Sequence, residues 1–130
     1  MKRVIGLGGV FFKARDPQAL YEWYRKHLGI ESSPQAGAMW RDDGHSGVPR
    51  VNVLAIFPHD ATYLGSDTHN FMINFRVDDL AGLMKALREE GVPADDKIEE
   101  CEYGKFGWIT DPEGNRIELW ESPKSEPSEN

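Results

Sequence analysis

The chain of 130 residues contains a single cysteine, Cys101, so an internal disulfide is excluded. One unpaired cysteine agrees with a reducing compartment, and we therefore expect a cytoplasmic protein. Long apolar runs are also missing, because none approaches the roughly 18 consecutive residues that a membrane span requires. The apolar part of the N-terminus is too short for a secretory signal and lacks a small-residue cleavage pattern. The sequence thus predicts no membrane partner.

Basic residues are in the minority, with 15 Lys and Arg against 22 Asp and Glu and a formal net charge of −7. This balance repels the phosphates of nucleic acids, so a nucleic-acid partner is not expected. A cationic or neutral small molecule is the easier partner. The length suits one domain that buries a core without disulfide or metal support.

The first half of the chain predicts a strand, a helix and two further strands. Apolar residues favour a strand over Ile5–Ala14, and Asp16 followed by proline is a typical helix start. The helix should cover Pro17–His27 and end at Gly29. Its apolar residues, which should face the core, are Leu20, Trp23, Tyr24 and Leu28. The other predicted strands are Ala38–Arg41 and Arg50–Phe57, with the loop Asp42–Pro49 between them.

The second half repeats this order, with a predicted strand at Phe71–Val77, a helix cap at Asp79 and a helix end at Gly91. The two cap aspartates lie 63 residues apart and the two terminal glycines 62, which indicates a duplicated module. The core residues of the second helix should be Leu80, Leu83, Met84 and Leu87. We expect one domain over residues 1–121, made of modules 1–66 and 67–121, and a disordered polar tail over 122–130.

The second module should end in a strand over Lys97–Tyr103 and then a β-hairpin. Its strands are predicted at Phe106–Ile109 and Arg116–Glu121, because the intervening DPEGN supplies turn residues. Alternation in the last strand puts Ile117 and Leu119 on one face and Glu118 on the other. A carboxylate between an arginine and a tryptophan suits a pocket wall better than a core. Glu118 is therefore the leading functional candidate, with Arg116 or Arg76 as its expected partner.

A βαβββ unit used twice predicts an α+β fold: a curved mixed sheet of about eight strands, helices on the convex face and an open concave cup. Three segments of the chain, RDPQALYEWYRKHLGI, FRVDDLAGLMKALREEGV and FGWITDPEGNRIELWE, resemble the vicinal oxygen chelate superfamily. This superfamily includes glyoxalase I, bleomycin-resistance proteins and extradiol dioxygenases. The resemblance covers about residues 4 to 121 and implies a homodimer, which would also cover an open sheet edge.

The resemblance also locates the residues that hold a divalent metal in glyoxalase-type enzymes. They correspond to Gly9, Asn52, Met72 and Glu118, where Asn52 follows from aligning Arg50-Val51-Asn52 with Arg116-Ile117-Glu118. Glycine offers no ligand atom and a thioether is a poor ligand for such ions, so only Glu118 keeps the ligand type. We expect no metal and no other cofactor; a divalent metal is the alternative.

Strand parity predicts which side chains face the cup. The expected ligand-binding residues are Phe11, Lys13, Trp40, Asn52, Met72, Asn74, Arg76, Phe106, Trp108, Arg116 and Trp120, with Glu118 as the catalytic candidate. The alternative for any one aromatic residue is a dimer contact or ordinary core. Among the histidines, only His69 lies close to the expected rim. Cys101 lies between two glutamates and has no neighbouring cation, so a reactive thiolate is not expected.

Three functions fit this pattern. The first is a metal-free cup that binds a small aromatic or cationic molecule, similar to resistance proteins that sequester drugs between aromatic walls. The second is a glyoxalase-like lyase or isomerase in which Glu118 is the general base or a metal ligand. In that case Arg76, Arg116 or Lys13 would stabilise the enolate. The third is a dimeric scaffold without a ligand.

Overall fold

A computed structural model of the chain describes residues 3–33, 37–42, 50–66 and 68–123. They form nine elements, which are β1 (Val4–Ala14), α1 (Pro17–Leu28), β2 (Ala38–Asp42), β3 (Arg50–Pro58), β4 (Phe71–Val77), α2 (Leu80–Glu89), β5 (Glu99–Cys101), β6 (Gly104–Thr110) and β7 (Arg116–Glu121). The predicted loop after Asp42 and the end of the predicted tail, from position 124, lie outside the described residues. Within the described residues, no helix is long and apolar enough to cross a membrane.

The observed order confirms the α+β class and corrects the number of strands. The structure describes seven strands rather than about eight. Three of them, β1 to β3, lie in the first half of the chain, and four, β4 to β7, lie in the second half. The predicted strand Lys97–Tyr103 is reduced to β5, whose pairing with β6 runs only from Glu99 opposite Phe106 to Cys101 opposite Gly104. The positions after Cys101 form the turn between β5 and β6.

The residues fall into two compact units. The hairpin unit contains the residues up to Gly8 together with those from Ile73 onward, and the α1 unit contains Gly9–Met72. β1 therefore contributes its first part to one unit and its second part to the other. The assignment of modules 1–66 and 67–121 stays a prediction.

In the α1 unit, β3 pairs in parallel with β1 and antiparallel with β2. Gly9 lies opposite Val53, and a Cβ at this glycine would lie 2.4 Å from the Val53 carbonyl oxygen. The close approach of these two strands therefore requires glycine. The predicted caps of α1 are observed: Asp16 accepts a hydrogen bond from the Ala19 amide at 3.0 Å, and Gly29 adopts φ +70°.

The prediction that Trp23 and Leu28 lie on the buried side of α1 is wrong. Trp23 is 50% exposed and Leu28 is 59% exposed. The helix instead turns Tyr21 toward β3, where its hydroxyl oxygen accepts a hydrogen bond from the Ile56 amide at 2.7 Å. Trp23 consequently lies at the flank of the helix, where its ring contacts those of Tyr24 and His27.

In the hairpin unit the strand order is β1-β4-β7-β6-β5. β4 and β7 are parallel, whereas β7 with β6 and β6 with β5 are antiparallel. α2 covers one face of this sheet and forms a cluster of buried aliphatic side chains, namely Val77, Leu80, Leu83, Met84, Leu87 and Leu119. The core residues predicted for α2 are thus confirmed. Each such side chain stabilises the fold by roughly 1.5–3 kcal/mol on burial.

Candidate functional site

The turn between β6 and β7 fixes the register of the site. The Asp111 carboxylate accepts hydrogen bonds from the amides of Glu113 and Asn115, both at 2.9 Å, and Gly114 adopts φ +85°. Hydrogen bonding from the Asn115 side chain, followed by its amide, holds the pKa of Asp111 below its ordinary value. The turn thereby places Trp108 directly opposite Glu118.

The sheet of the hairpin unit has two chemically different faces. On the face under α2, β7 contributes Leu119 to the aliphatic cluster and Ile117 packs against it. Since strand side chains alternate, Glu118 points to the opposite face, which we call the polar face. The register places Asn74 of β4 beside Glu118 on one side and Trp108 of β6 beside it on the other.

The polar face holds all of the buried polar or charged side chains found among the described residues. Glu118 is 1% exposed, Asn74 is 2% exposed and Arg76 is 6% exposed. Burying such groups costs free energy unless hydrogen bonds replace those made to water. Aliphatic packing on the other face of the same sheet stabilises the fold. Core packing therefore does not explain why Asn74, Arg76 and Glu118 are buried on the polar face.

Both carboxylate oxygens of Glu118 accept hydrogen bonds from neighbouring strands. The Asn74 side-chain amide donates from Nδ2 to Oε1 at 2.6 Å, and the Trp108 indole donates from Nε1 to Oε2 at 2.9 Å. Hydrogen bonds to an ionised group are the stronger kind, and two from opposite sides fix the plane of the carboxylate. We call these three residues the Asn74–Glu118–Trp108 cluster.

Gly8 of β1 leaves the space that the Asn74 side chain occupies. A Cβ at Gly8 would lie 2.0 Å from Asn74 Oδ1 and 3.0 Å from Cε3 of Trp120. Oδ1 is buried, and within the described part of the chain no hydrogen-bond donor reaches it. The amide thus donates to Glu118 while its own acceptor lies against Gly8.

Arg116 covers the Trp108 ring. Its guanidinium carbon lies 5.3 Å from the ring centroid, a distance typical of a cation–π contact. The same guanidinium forms an ion pair with Asp95 at 3.1 Å, and the Asp95 amide donates to the Trp108 carbonyl oxygen at 2.9 Å. Arg116 was one of two expected partners of Glu118; it pairs with Asp95 instead, and the observed donors to Glu118 include Asn74 and Trp108.

Two further contacts order the polar face beside the cluster. The rings of Phe106 and Trp120 are stacked, with centroids 5.8 Å apart and an interplanar angle of 7°. The Trp120 indole donates to the Tyr103 carbonyl oxygen at 2.8 Å. Arg76 lies opposite Trp120 in the register and donates from Nη2 to the Leu7 carbonyl oxygen at 2.6 Å.

The structure divides the residues proposed from the sequence between the two units. The hairpin unit brings together Asn74, Arg76, Phe106, Trp108, Arg116, Glu118 and Trp120. The α1 unit contains Phe11, Lys13, Trp40, Asn52 and Met72. The participation of this second set in a binding site stays a prediction.

Within the α1 unit these residues have separate surroundings. The ring of Phe11 contacts that of Phe57 at 5.9 Å, and Lys13 Nζ donates to the Ser66 carbonyl oxygen at 3.4 Å. Trp40 is exposed and lies opposite Asn52 in the pairing of β2 with β3. The histidine near the expected rim, His69, accepts a hydrogen bond at Nδ1 from the Ser66 amide at 2.9 Å, so this nitrogen orders its own loop.

The donor chemistry does not fit the four-ligand metal of glyoxalase-type enzymes. Gly9 has no side chain and no room for one, and Met72 offers a fully buried thioether. Glu118 is the one strong ligand among the corresponding positions, and N–H donors contact both of its oxygens. Across the described ranges, no three His, Cys, Asp or Glu side chains are grouped to hold a metal ion. The expectation that the protein uses no metal stays a prediction.

Sequence reasoning missed the supporting residues Gly8, Asp95 and Tyr103. A glycine inside a strand often marks a close approach of another chain segment, so Gly8 had a readable signal. Asp95 and Tyr103 had none, because their roles depend on which strands become neighbours.

A shallow groove of about 560 Å³ lies along α1. It is lined by Ala14, Arg15, Asp16, Ala19, Leu20, Trp23 and Tyr24. None of the residues proposed for ligand binding lines this groove.

Comparisons with solved structures show the fold. Over 96% of this chain and 99% of the other, a methylmalonyl-CoA epimerase in complex with methylmalonyl-CoA and NH4+ matches with a TM-score of 0.69 and 20% identity. The epimerase of Streptomyces coelicolor in complex with 2-nitronate-propionyl-CoA matches over 92% and 98% of the two chains, with a TM-score of 0.66 and 20% identity. The epimerase of Mycobacterium tuberculosis matches over 95% and 91%, with a TM-score of 0.59 and 23% identity.

No curated protein sequence matches the chain. A family model, however, matches residues 7–119, a span that contains the Asn74–Glu118–Trp108 cluster and both helices. The chain therefore belongs to the Glyoxalase/Bleomycin resistance protein/Dioxygenase superfamily.

Proposed function

We propose that this protein binds a small aromatic or cationic molecule on the polar face of the hairpin unit, without a metal, and that Glu118 contacts the ligand. The observation that carries the proposal is the concentration of Asn74, Arg76 and Glu118, all buried, on one sheet face. An unsatisfied buried polar group costs about 1–3 kcal/mol, and natural proteins keep such departures from an apolar core mainly at functional sites.

The chemistry of the polar face favours a flat ligand that carries N–H groups. Trp108 and Trp120 provide indole rings, and Glu118 provides a carboxylate that accepts hydrogen bonds. The net charge of −7 attracts cations to the molecule as a whole.

A ligand can reach Glu118 only if a neighbouring side chain moves, since Glu118 is 1% exposed. Arg116 is the side chain proposed to move, because it is 24% exposed and lies over the Trp108 ring. A cationic aromatic ligand that takes the place of the guanidinium on the indole would preserve the cation–π contact.

Glyoxalase-like isomerisation is the second candidate, with Glu118 as the general base. The hydrogen bonds from Asn74 and Trp108 favour it, because a base must be oriented toward the proton that it removes. Arg76, which lies on the same face, would stabilise the enolate. The structural matches with methylmalonyl-CoA epimerases agree with this chemistry, although at 20 to 23% identity they show the fold alone.

The test compares Glu118→Gln with Glu102→Gln. Glu102 is an exposed glutamate between β5 and β6. Benzamidine, which combines an aromatic ring with N–H donors, is titrated in excess EDTA and followed by tryptophan fluorescence. We expect binding to the wild type and to Glu102→Gln and at least a tenfold weaker affinity for Glu118→Gln. Equal affinity of all three proteins, or binding that occurs only when EDTA is omitted, would contradict the proposal.

Exchange of the α-proton of methylmalonyl-CoA in D2O, followed by NMR, separates the two candidates. Exchange that disappears in Glu118→Gln supports the isomerase, whereas benzamidine binding without exchange supports the binding protein. The homodimer and the cytoplasmic location expected from the sequence remain predictions.

A further inference from the structure

The orientation of the Asn74 amide is costly for the fold. Nδ2 donates to Glu118 at 2.6 Å, and Oδ1 is left buried with no donor in the described residues. A buried acceptor without a donor costs about 1–3 kcal/mol. An aliphatic side chain of similar size would avoid this cost, so packing alone does not account for asparagine at this position.

The amide orientation favours the ionised state of Glu118. If the amide were turned around, Oδ1 would face the carboxylate and two acceptors would repel each other. The observed orientation presents a donor, as an ionised carboxylate requires. Gly8 makes this orientation possible, since a Cβ there would lie 2.0 Å from Oδ1.

Trp108 imposes the same requirement from the other strand. An indole N–H donates and never accepts, so Oε2 must act as an acceptor here, which the oxygen of an ionised carboxylate does better than a carboxyl hydroxyl. Hydrogen bonds given to the charged form of a group favour that form. Two donors on separate strands therefore act on Glu118 in the same direction.

We infer that Asn74 is a positioning residue, which together with Trp108 orients Glu118 and keeps it ionised in the buried polar face. The inference rests on the proposed function for its biological meaning, and the charge state of Glu118 can be measured without any ligand.

Other charged groups on the polar face also influence the titration of Glu118. Arg76 comes from β4, and Arg116 comes from β7 with Asp95 paired to it. β5 adds Glu99 and Cys101, which lie opposite Phe106 and Gly104, two strands away from Glu118. β6 contributes Phe106 and Trp108 on this face and no ionisable side chain. Because all of these charges are kept when Asn74 or Trp108 is replaced, a change in the titration of Glu118 reports the lost hydrogen bond.

The experiment follows the side-chain carboxyl carbon of Glu118 by ¹³C NMR as a function of pH, with the signal assigned from Glu118→Gln. Asn74→Ala and Trp108→Phe each remove one donor, and Asn70→Ala is the control, because Asn70 is an exposed asparagine outside the cluster. We expect the midpoint to rise by at least one pH unit in each cluster variant, a tenfold change in proton affinity, and to stay in place in Asn70→Ala.

A midpoint that moves by less than about 0.3 pH unit in both cluster variants would overturn the inference, since one unit is the expected shift. If Asn74→Ala does not fold, Trp108→Phe decides the question alone, because phenylalanine keeps most of the ring. Benzamidine binding is measured on the same samples. A raised midpoint in the variants, together with no benzamidine binding to the wild type, supports the positioning role and contradicts the proposed function, so the two failures are distinguishable.

Discussion

Replacement of Gly8 by alanine tests how closely β1 supports the Asn74–Glu118–Trp108 cluster. Gly8 is not one of the glycines with positive φ, so an alanine backbone meets no conformational strain there. The added Cβ would lie 2.0 Å from Asn74 Oδ1, whereas ordinary contacts begin near 3.4 Å. The Asn74 side chain must therefore move by more than about 1 Å, which breaks its hydrogen bond to Glu118.

The expected loss of unfolding free energy combines three effects. Overpacking costs about 1–3 kcal/mol, and loss of a hydrogen bond to a charged group costs about 1.5–3 kcal/mol. Alanine also restricts the unfolded chain, which stabilises the protein by about 0.4–1 kcal/mol. We expect Gly8→Ala to lower the free energy of unfolding by roughly 2–5 kcal/mol, measured by urea denaturation with circular dichroism.

A double-mutant cycle with Asn74→Ala identifies the source of this loss. If the clash is with the amide, Gly8→Ala costs at least about 1 kcal/mol less once the amide is removed, a coupling typical of residues in contact. Gly107→Ala is the matched control, since its Cβ would meet flexible ends of Met84 and Leu80 on the opposite face at 3.1 and 3.3 Å. It should show no coupling with Asn74→Ala. A cost below about 0.5 kcal/mol, or additivity within that margin, would refute the reasoning.

Two predictions test the rest of the hairpin unit. Leu119→Ala should lower the free energy of unfolding by about 2–5 kcal/mol in urea denaturation, because Leu119 is 2% exposed in the cluster under α2. Benzamidine affinity should stay unchanged at low urea, and a selective loss of affinity would contradict the assignment of the two faces. Asp79→Ala should cost about 0.5–2 kcal/mol in the same assay, because its carboxylate accepts from the Gly82 amide at 3.1 Å. An unchanged midpoint would show that the cap is dispensable.

Local signals in the sequence were sufficient to predict both helices and most of the strands. The caps Asp16 and Asp79 and the stop Gly29 act within one helical turn, so a short window of sequence contains the whole interaction. The alternation of β7 predicted correctly that Leu119 and Glu118 lie on opposite faces. Periodicity failed for Trp23, because it identifies an apolar stripe on α1 without telling which of its edges meets β3.

The partners of the candidate site required knowledge of the strand order. Asn74 and Glu118 lie 44 residues apart in the chain and become neighbours only when β4 pairs with β7. An arginine was the expected partner of the buried glutamate. Arg116, however, lies over the Trp108 ring and forms an ion pair with Asp95. For Arg116, charge complementarity read along one strand thus selected the wrong pair, because cross-strand neighbours determine contacts in a sheet; Arg76 as a partner of Glu118 stays a prediction.

The nature of these donors bears on how the site acts. Asn74 and Trp108 orient the carboxylate without adding a positive charge, so neither of these contacts offsets its negative charge. A charge in a buried setting acts on a ligand more strongly than the same charge in water. With Glu118 ionised as inferred above, the same arrangement would serve both proposed functions, because an oriented carboxylate is what a cation binds and what a general base requires.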